Sequence, residues 1–450
     1  MATHAATHAA AAAPAAPASR SAQLFERAKK VMPGGVSRNT VLWSAVPPYV
    51  AHGSGCRVTD IDGVTRIDFA NNVASLIHGH AYPPVTQAVA AQVARGTAFM
   101  MATEQEVLHA EHMCSRSEGF DRIRFVNSGT EAVMAALKAA RAFTGRPKIA
   151  KVEGAYHGAY DYVETSQGST PKDWGSVDHP SRVPLVHGAP QSTMEEVVVI
   201  PFDDIDRSIS LLNEHAADLA CVVLDLLPHR VGLKPASPAF VNAIREWTAK
   251  HGALLVLDEV ITFRTEVGGA QQRYGIHGDL TALGKMIGGG FPVGALAGKA
   301  QFMEVLNPAA PKLLFPLSGT FSANPVTMTA GRVAMEHFDA KAAARLNALG
   351  DRVRHGIEQT IARTGASASV TGGGSMFRVH MKAQVPSNYR EAYTTPEENK
   401  RLKLMLEHLF AEGFLMVGTC TGMLSTPMTE SEIDALVAAM ESGFRRLAQA

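Results

Sequence analysis

The sequence predicts an α/β fold, with a large domain around a mainly parallel sheet and a smaller, discontinuous α+β domain. Three observations carry this prediction. From about residue 105 to 330 the chain alternates apolar strand, turn and helix. Two continuous apolar runs in that stretch, "DLACVVLDLL" and "GALLVLDEV", suit strands covered on both faces. After about residue 330 the pattern changes to long helices and short strands.

The elements follow in order. Residues 1–20, "MATHAATHAAAAAPAAPASR", are low complexity, and they lack the basic start and apolar core of a signal peptide. They read as a disordered tail outside the chemistry, His4 and His8 included. Helix signals begin near Ser21 with "SAQLFERAKKVM" and stop at Pro33-Gly34-Gly35. "GCRVTDIDGVTRIDFA" reads as two strands about an Asp62-Gly63 turn. "PPVTQAVAAQVARG" is a helix with proline at its start and Gly96 at its end. "RIRFVNSGTEAVMAALKAARAFTG" gives a strand, a polar turn and an alanine-rich helix, and "PAFVNAIREWTAKHG" a second helix. The C-terminal part adds the short strands "SVTGGGSMFRVHM" and "FLMVGTCTGMLSTP" and the helix "ESEIDALVAAMESGFRRLAQ". The division expected is 21–75 for the N-terminal part of the small domain, 76–330 for the large domain and 331–450 for the rest of the small one.

Bulk properties exclude several classes. Forty-two basic residues balance forty-two acidic ones, which argues against a nucleic acid or an anionic membrane held by bulk charge. No apolar run approaches the roughly 18–20 residues of a membrane span. The four cysteines, Cys56, Cys114, Cys221 and Cys420, are scattered, form no zinc-type pair and suit a reducing cytoplasm.

Four short segments carry chemistry. In "FVNSGTEA" a strand gives way to a helix at Ser128-Gly129-Thr130, where free N–H groups and hydroxyls can hold an anion. The bland alternative is a plain helix cap. "GAYHGAYD" sets Tyr156 and His157 between glycines, where a ring can lie against a planar ligand, or simply form a loop. Asp258 ends the apolar run "LLVLD", the position at which α/β folds contact ligands; a helix cap or salt bridge competes with that reading. In "LTALGKMIGGGFPVGAL", Lys285 sits among apolar and small residues, and its glycines follow it, the reverse of a phosphate loop. Such surroundings favour a neutral, nucleophilic amine able to form a Schiff base. Pyridoxal 5′-phosphate uses all four features: its phosphate, its flat ring, its pyridine nitrogen and its aldehyde.

With "NSGTEA", "YHG", "LLVLDEV", "LGKMIGGGFPVGA" and "GTFSANP" in order, the chain from about residue 21 on resembles the class III, fold-type I pyridoxal-phosphate aminotransferases. Within them it is similar to the glutamate-1-semialdehyde aminomutase and β-phenylalanine aminotransferase branch. The resemblance implies a seven-stranded sheet in the large domain. It assigns Lys285 as the Schiff-base lysine and Asp258 as the partner of the pyridine nitrogen. Ser128, Gly129 and Thr130 would hold the phosphate. Tyr156, His157 and Val260 would surround the ring. Thr320 would reach the phosphate of the neighbouring subunit, which implies a homodimer with interfacial active sites. The glycines after Lys285 would let the backbone turn sharply close to the cofactor or the partner subunit.

On the substrate side, Arg38 in "PGGVSRNTVLW" resembles the carboxylate-binding arginine of β-phenylalanine aminotransferases, with Trp43 beside it. The aminomutases place their arginine three positions later, where this chain has Val41. Two departures stand out. Asp225-Leu226 replaces a Glu-Pro pair, bringing His229 and Arg230 where relatives carry small or amide residues. Thr419 or Cys420 occupies the place of a C-terminal arginine that grips α-carboxylates in many relatives. The function expected is a cytoplasmic, homodimeric aminotransferase with no metal. It exchanges an amino group between a carboxylate-bearing amine, such as a β-amino acid, and a 2-oxo acid. The alternative is an aminomutase of the glutamate-1-semialdehyde type; a third reading, a cofactor-binding protein without transfer activity, sits poorly with an intact Lys285 and Asp258.

Overall fold

The computed structural model describes residues 19–448. The tail expected at 1–20 lies outside them except for Ser19 and Arg20, which start the first helix (Arg20–Ala28); Ser19 Oγ accepts from Ala22 N at 3.2 Å. The described chain forms two compact units, one running up to His52 and including Val58–Thr65, the other made of Gly53–Arg57 and the chain from Arg66 on.

In the first unit the Asp62 carboxylate receives Arg20 N at 2.8 Å and Ser21 N at 3.3 Å, tying the helix start to a turn. Gly63 takes φ +89°, the left-handed conformation that a tight turn needs and glycine adopts freely. Strands β1 (Val50–Ser54), β2 (Arg57–Asp60) and β3 (Thr65–Asp68) follow that helix in the chain. In the second unit the end of β3 pairs in parallel with β13 (Phe414–Leu415), Ile67 opposite Phe414.

The second unit is built on seven strands: β4 (Arg122–Val126), β5 (Lys148–Val152), β6 (Val197–Ile200), β7 (Leu219–Leu224), β8 (Leu254–Asp258), β9 (Leu280–Gly284) and β10 (Gly294–Gly298). Their spatial order is β4-β10-β9-β8-β7-β5-β6, parallel except for β10, which runs antiparallel to both neighbours.

Alternate residues feed two cores. Val197, Val199, Cys221, Val223, Leu254 and Val256 face the helix Gly129–Thr144, whose buried Ala132, Ala135, Ala136, Ala139 and Ala140 let it lie close to the sheet. Val198, Ile200, Val222, Leu224, Leu255 and Leu257 face the helix Pro238–His251 through Phe240, Val241, Ile244 and Trp247. Both helices end on a left-handed glycine, Gly145 at φ +71° and Gly252 at φ +66°. A three-stranded antiparallel sheet follows, ordered β11 (Ser369–Gly373), β12 (Met376–His380), β14 (Thr421–Met423), with the helices Ala340–Thr364, Pro396–Ala411 and Glu430–Leu447. No helix among the described residues is long and apolar enough to cross a membrane.

Candidate functional site

The C-terminal ends of the parallel strands converge, the position where open α/β sheets bind ligands. Asp258 is the last residue of β8, and Asp225 and Lys285 directly follow β7 and β9. Ser128 comes two residues after β4, and Tyr156 and His157 lie in the loop after β5.

Asp258 is buried, and both its oxygens are engaged. Oδ2 accepts from His157 Nδ1 at 2.7 Å and Oδ1 from Val260 N at 3.0 Å. A carboxylate has about four acceptor sites, so Asp258 keeps capacity for a further donor. His157 Nε2 is buried without a partner. His157 thus stands behind Asp258 and holds it. Its neighbour Glu259 accepts from Ala270 N at 2.7 Å, Gln271 N at 2.8 Å and Thr262 Oγ1 at 3.1 Å; burial still pushes it up to about 7. Asp225, one of the two sequence departures, is buried, and its Oδ1 accepts from Leu227 N at 2.9 Å. Burial, and then the nearby Asp258 carboxylate, hold Asp225 well above the usual carboxylate range.

Lys285 takes φ +52° at the start of a short 3₁₀ turn, Lys285–Gly288. A side-chain-bearing residue there stores about 1–3 kcal/mol of strain, and such residues cluster at functional sites. The turn is clamped from behind. A Cβ on Gly289 would lie 2.3 Å from Ala330 O, and one on Gly331 would lie 2.1 Å from Ile287 O. Gly289 therefore allows close packing on the helix Pro325–Glu336 of the same chain. His109 Nε2 lies 2.9 Å from Ile287 O, and burial pulls this histidine down to about 4, so it is a neutral donor to the turn.

The helix Gly129–Thr144 points its N-terminus at the same edge. Ser128 Oγ accepts from Glu131 N at 3.1 Å. The cap and the anion-binding readings are thus compatible: the first turn still offers N–H groups and the helix dipole. Space here depends on missing side chains. A Cβ on Gly129 would meet Val260 Cγ1 at 2.8 Å, one on Gly284 would meet the same methyl at 3.3 Å, and one on Gly158 would meet Thr130 Oγ1 at 2.6 Å. Thr130 Oγ1 also accepts from Ala159 N at 3.2 Å, joining the helix start to the Tyr156–His157 loop.

Tyr156 is 40% exposed and lies edge-on to His229, with ring centroids 5.9 Å apart. His229 and Arg230 are half-buried on a turn after β7. Crowding, then the positive charges of Lys285, Arg378 and Arg230, pull His229 down to about 3, so it is neutral. Arg378, on β12, went unnoticed in the sequence, although a charged residue inside "MFRVH" was a signal. It is 7% exposed and donates through Nη1 to His229 O at 2.7 Å. Thr320 is exposed, in a stretch fastened to its own chain by Arg124 Nη2 donating to Leu317 O at 2.8 Å. Arg38 and Trp43 belong to the first unit, Arg38 exposed and Trp43 half-buried. No group of three or more His, Cys, Asp or Glu among the described residues is placed to hold a metal ion.

Residues 43–432 match the class III aminotransferase family. The chain belongs to the class III aminotransferases. This class III aminotransferase is 38% identical over 374 residues to the glutamate-1-semialdehyde 2,1-aminomutase of Methanothermobacter thermautotrophicus, a match covering 83% of this chain and 86% of that protein. Among solved structures it resembles an omega-transaminase from Sphaerobacter thermophilus, with TM-score 0.93, 44% identity, and 96% and 98% of the two chains covered. It also resembles a β-phenylalanine aminotransferase from Variovorax paradoxus, with TM-score 0.84, 31% identity, and 94% and 93% covered. The aminotransferase is a pyridoxal-phosphate enzyme with the fold-type I architecture, and its residues fit the cofactor. The cradle at Gly129 and Gly158 is closed to any Cβ, a helix N-terminus faces it, and a buried aspartate with spare acceptor capacity ends β8.

Proposed function

We propose that this enzyme transfers an amino group between a carboxylate-bearing amine, of the β-amino-acid kind, and a 2-oxo acid in two successive half-reactions. The observation that carries the reading is the pairing at the sheet edge. A strained lysine follows β9, and a buried aspartate, fixed by a buried histidine, ends the adjacent β8. The cofactor supplies an electron sink once bound. In this reading Asp258 keeps the pyridine nitrogen protonated, with His157 positioning it. Lys285 holds the cofactor and later moves a proton at the substrate carbon. Ser128, Gly129 and Thr130 hold the phosphate, and Tyr156 and Val260 flank the ring. Arg38, Trp43, His229 and Arg230 are the candidates for binding the substrate. The transferase reading is favoured by the 44% identity to an omega-transaminase over nearly the whole chain. We further propose a cytoplasmic homodimer in which Thr320 reaches the partner's phosphate site; the exposed Phe321 beside it, at 61%, suits a covered surface.

The second reading, a glutamate-1-semialdehyde-type aminomutase, is favoured by the curated relative of that name; Val41 and Thr419 weigh against it. The test is the visible spectrum of the purified holoenzyme during amine titration. Bleaching by a β-amino acid and not by an α-amino acid, with recovery only after a 2-oxo acid is added, supports transfer. Recovery without any acceptor supports the mutase. A protein that takes up no cofactor sinks both.

A further inference from the structure

The charges around the site do not balance on the β12 side. Arg378 is buried in the three-stranded sheet, opposite Thr371 of β11 and Thr421 of β14. Its Nη1 is used by His229 O, while its Nε is buried with no partner. No carboxylate pairs with it among the described residues. Arg230 is half-buried and has neither a hydrogen bond nor an ion pair among the described residues. Arg378 Nη1 reaches the carbonyl of the residue directly before Arg230, and the Arg230 charge acts on both Arg378 and Tyr156. The neutral imidazole of His229 stands among them and against the Tyr156 ring. Burial pulls Arg378 down to about 10, which leaves it cationic at neutral pH. A buried donor without an acceptor costs about 1–3 kcal/mol. Two unneutralised cations next to each other add repulsion. An anion arriving at this place relieves both.

We propose that Arg378 and Arg230 form the subsite that holds a carboxylate of the substrate, with Arg378 as a specificity-determining residue. This rests on the aminotransferase reading with a carboxylate-bearing substrate. Two features of the fold support it. The turn that carries Arg230 is fixed by the small sheet: Thr371 Oγ1 donates to Gly232 O at 2.5 Å, and His380 Nε2 lies 3.1 Å from the same oxygen. Arg378 also packs beside Cys420, whose main-chain carbonyl receives Val379 N at 3.1 Å. The guanidinium thus comes from a strand and the turn from a loop, both held rigidly. A planar fork so placed recognises a carboxylate.

The carboxylate can come from the amine donor or from the oxo-acid acceptor, and the two half-reactions separate them. The holoenzyme, Arg378→Lys, Arg378→Gln and Arg230→Gln are each titrated with glutarate, an unreactive dicarboxylate, by calorimetry. Each is then followed through single half-reactions with a β-amino acid, with 1-phenylethylamine, which has no carboxylate, and with a 2-oxo acid. The expected result is a glutarate affinity about 10- to 100-fold weaker in the variants. The same factor is expected in the half-saturating concentration of the carboxylate substrates, with 1-phenylethylamine unaffected. A change in one half-reaction alone assigns the subsite to that substrate. Arg378→Lys keeps a donor for His229 O, so it guards against a variant that fails to fold. Unchanged glutarate affinity in both Arg378→Lys and Arg230→Gln overturns the subsite. Equal slowing of 1-phenylethylamine also overturns it, since that is the mark of a merely structural arginine. A wild-type holoenzyme that binds glutarate and transfers no amino group defeats the proposed function instead and leaves the subsite standing.

Discussion

Two regions of the larger unit bury charge in opposite ways. At the C-terminal edge of the central sheet every buried carboxylate meets donors: Asp258 has His157 and Val260 N, Glu259 has Ala270 N and Gln271 N, and Asp225 has Leu227 N. Near β12 the buried guanidiniums keep nitrogens unpaired, Nε in Arg378 and Nη1 in Arg264. Arg264, fully buried, donates to Ser375 Oγ at 3.0 Å and to Leu424 O, yet burial still pulls it down to about 9. The first region is a finished scaffold, preorganised around a group that stays. The second retains unpaired donors, as suits a place where ligands come and go. Breaking the first should cost chemistry; breaking the second near Arg378 should cost selectivity.

The largest expected effect comes from Lys285→Ala. Removing the amine should lower turnover by at least about 10⁴-fold, with cofactor uptake, read by absorbance, largely kept. Turnover within tenfold of wild type would strip the sheet edge of its catalytic role. Asp258→Asn comes next. It keeps the shape and removes a carboxylate oxygen from the pair with His157, and kcat should fall on the order of 10²- to 10³-fold. If kcat holds and only the substrate KM rises, Asp258 belongs with the selectivity region instead.

The placement of these residues at the strand ends was legible because each piece is local. An apolar run ending in aspartate, a Ser-Gly-Thr between strand and helix, and a lysine before glycines can each be read within a few residues. The strands β7 and β8 were visible as runs of large apolar residues. By contrast β5, "KIAKV", and β10, "GALAG", carry lysines or glycines and show no such run. Arg378 was hidden because its meaning depends on His229, 149 residues away in the chain. The hold of Glu259 on Ala270 N and Gln271 N was hidden for the same reason, since a loop must fold back first. His157 was expected beside the ring; its bond to Asp258 is a contact across 101 residues that no local pattern encodes.

Gly129→Ala probes whether the scaffold is as tightly set as its carboxylates suggest. The added methyl would sit 2.8 Å from Val260 Cγ1, and overpacking of that kind costs about 1–3 kcal/mol. Denaturant midpoints should drop and the cofactor should dissociate more readily. Val260→Ala in the same chain should recover most of the loss, because the two sites share one contact. A double variant no better than the single would place the cost elsewhere, in the helix cap.

The smallest effect is the most diagnostic of the comparison, because it asks whether the sheet edge stores protons. Glu259 is raised from 4.5 to about 7, first by burial and partly by the Asp258 charge, against the pull of its three donors. Its folded pKa lies above its unfolded one, so between these values the native state binds the proton and the unfolded chain does not. The stabilisation is complete below about pH 4.5 and is lost as pH rises through about 7, with a slope of at most about 1.4 kcal/mol per pH unit for one group. Asp225, raised in the same direction, adds to the slope and should leave part of it in a Glu259→Gln protein. Urea unfolding at several pH values from 5 to 7.5 should therefore show wild-type stability falling with pH, with a shallower fall in Glu259→Gln and a flatter one still when Asp225→Asn is added. Parallel curves for all three would mean that the donors around Glu259 win over burial. The carboxylates of the sheet edge would then be charged, and the contrast with the arginines of β12 would be one of sign alone.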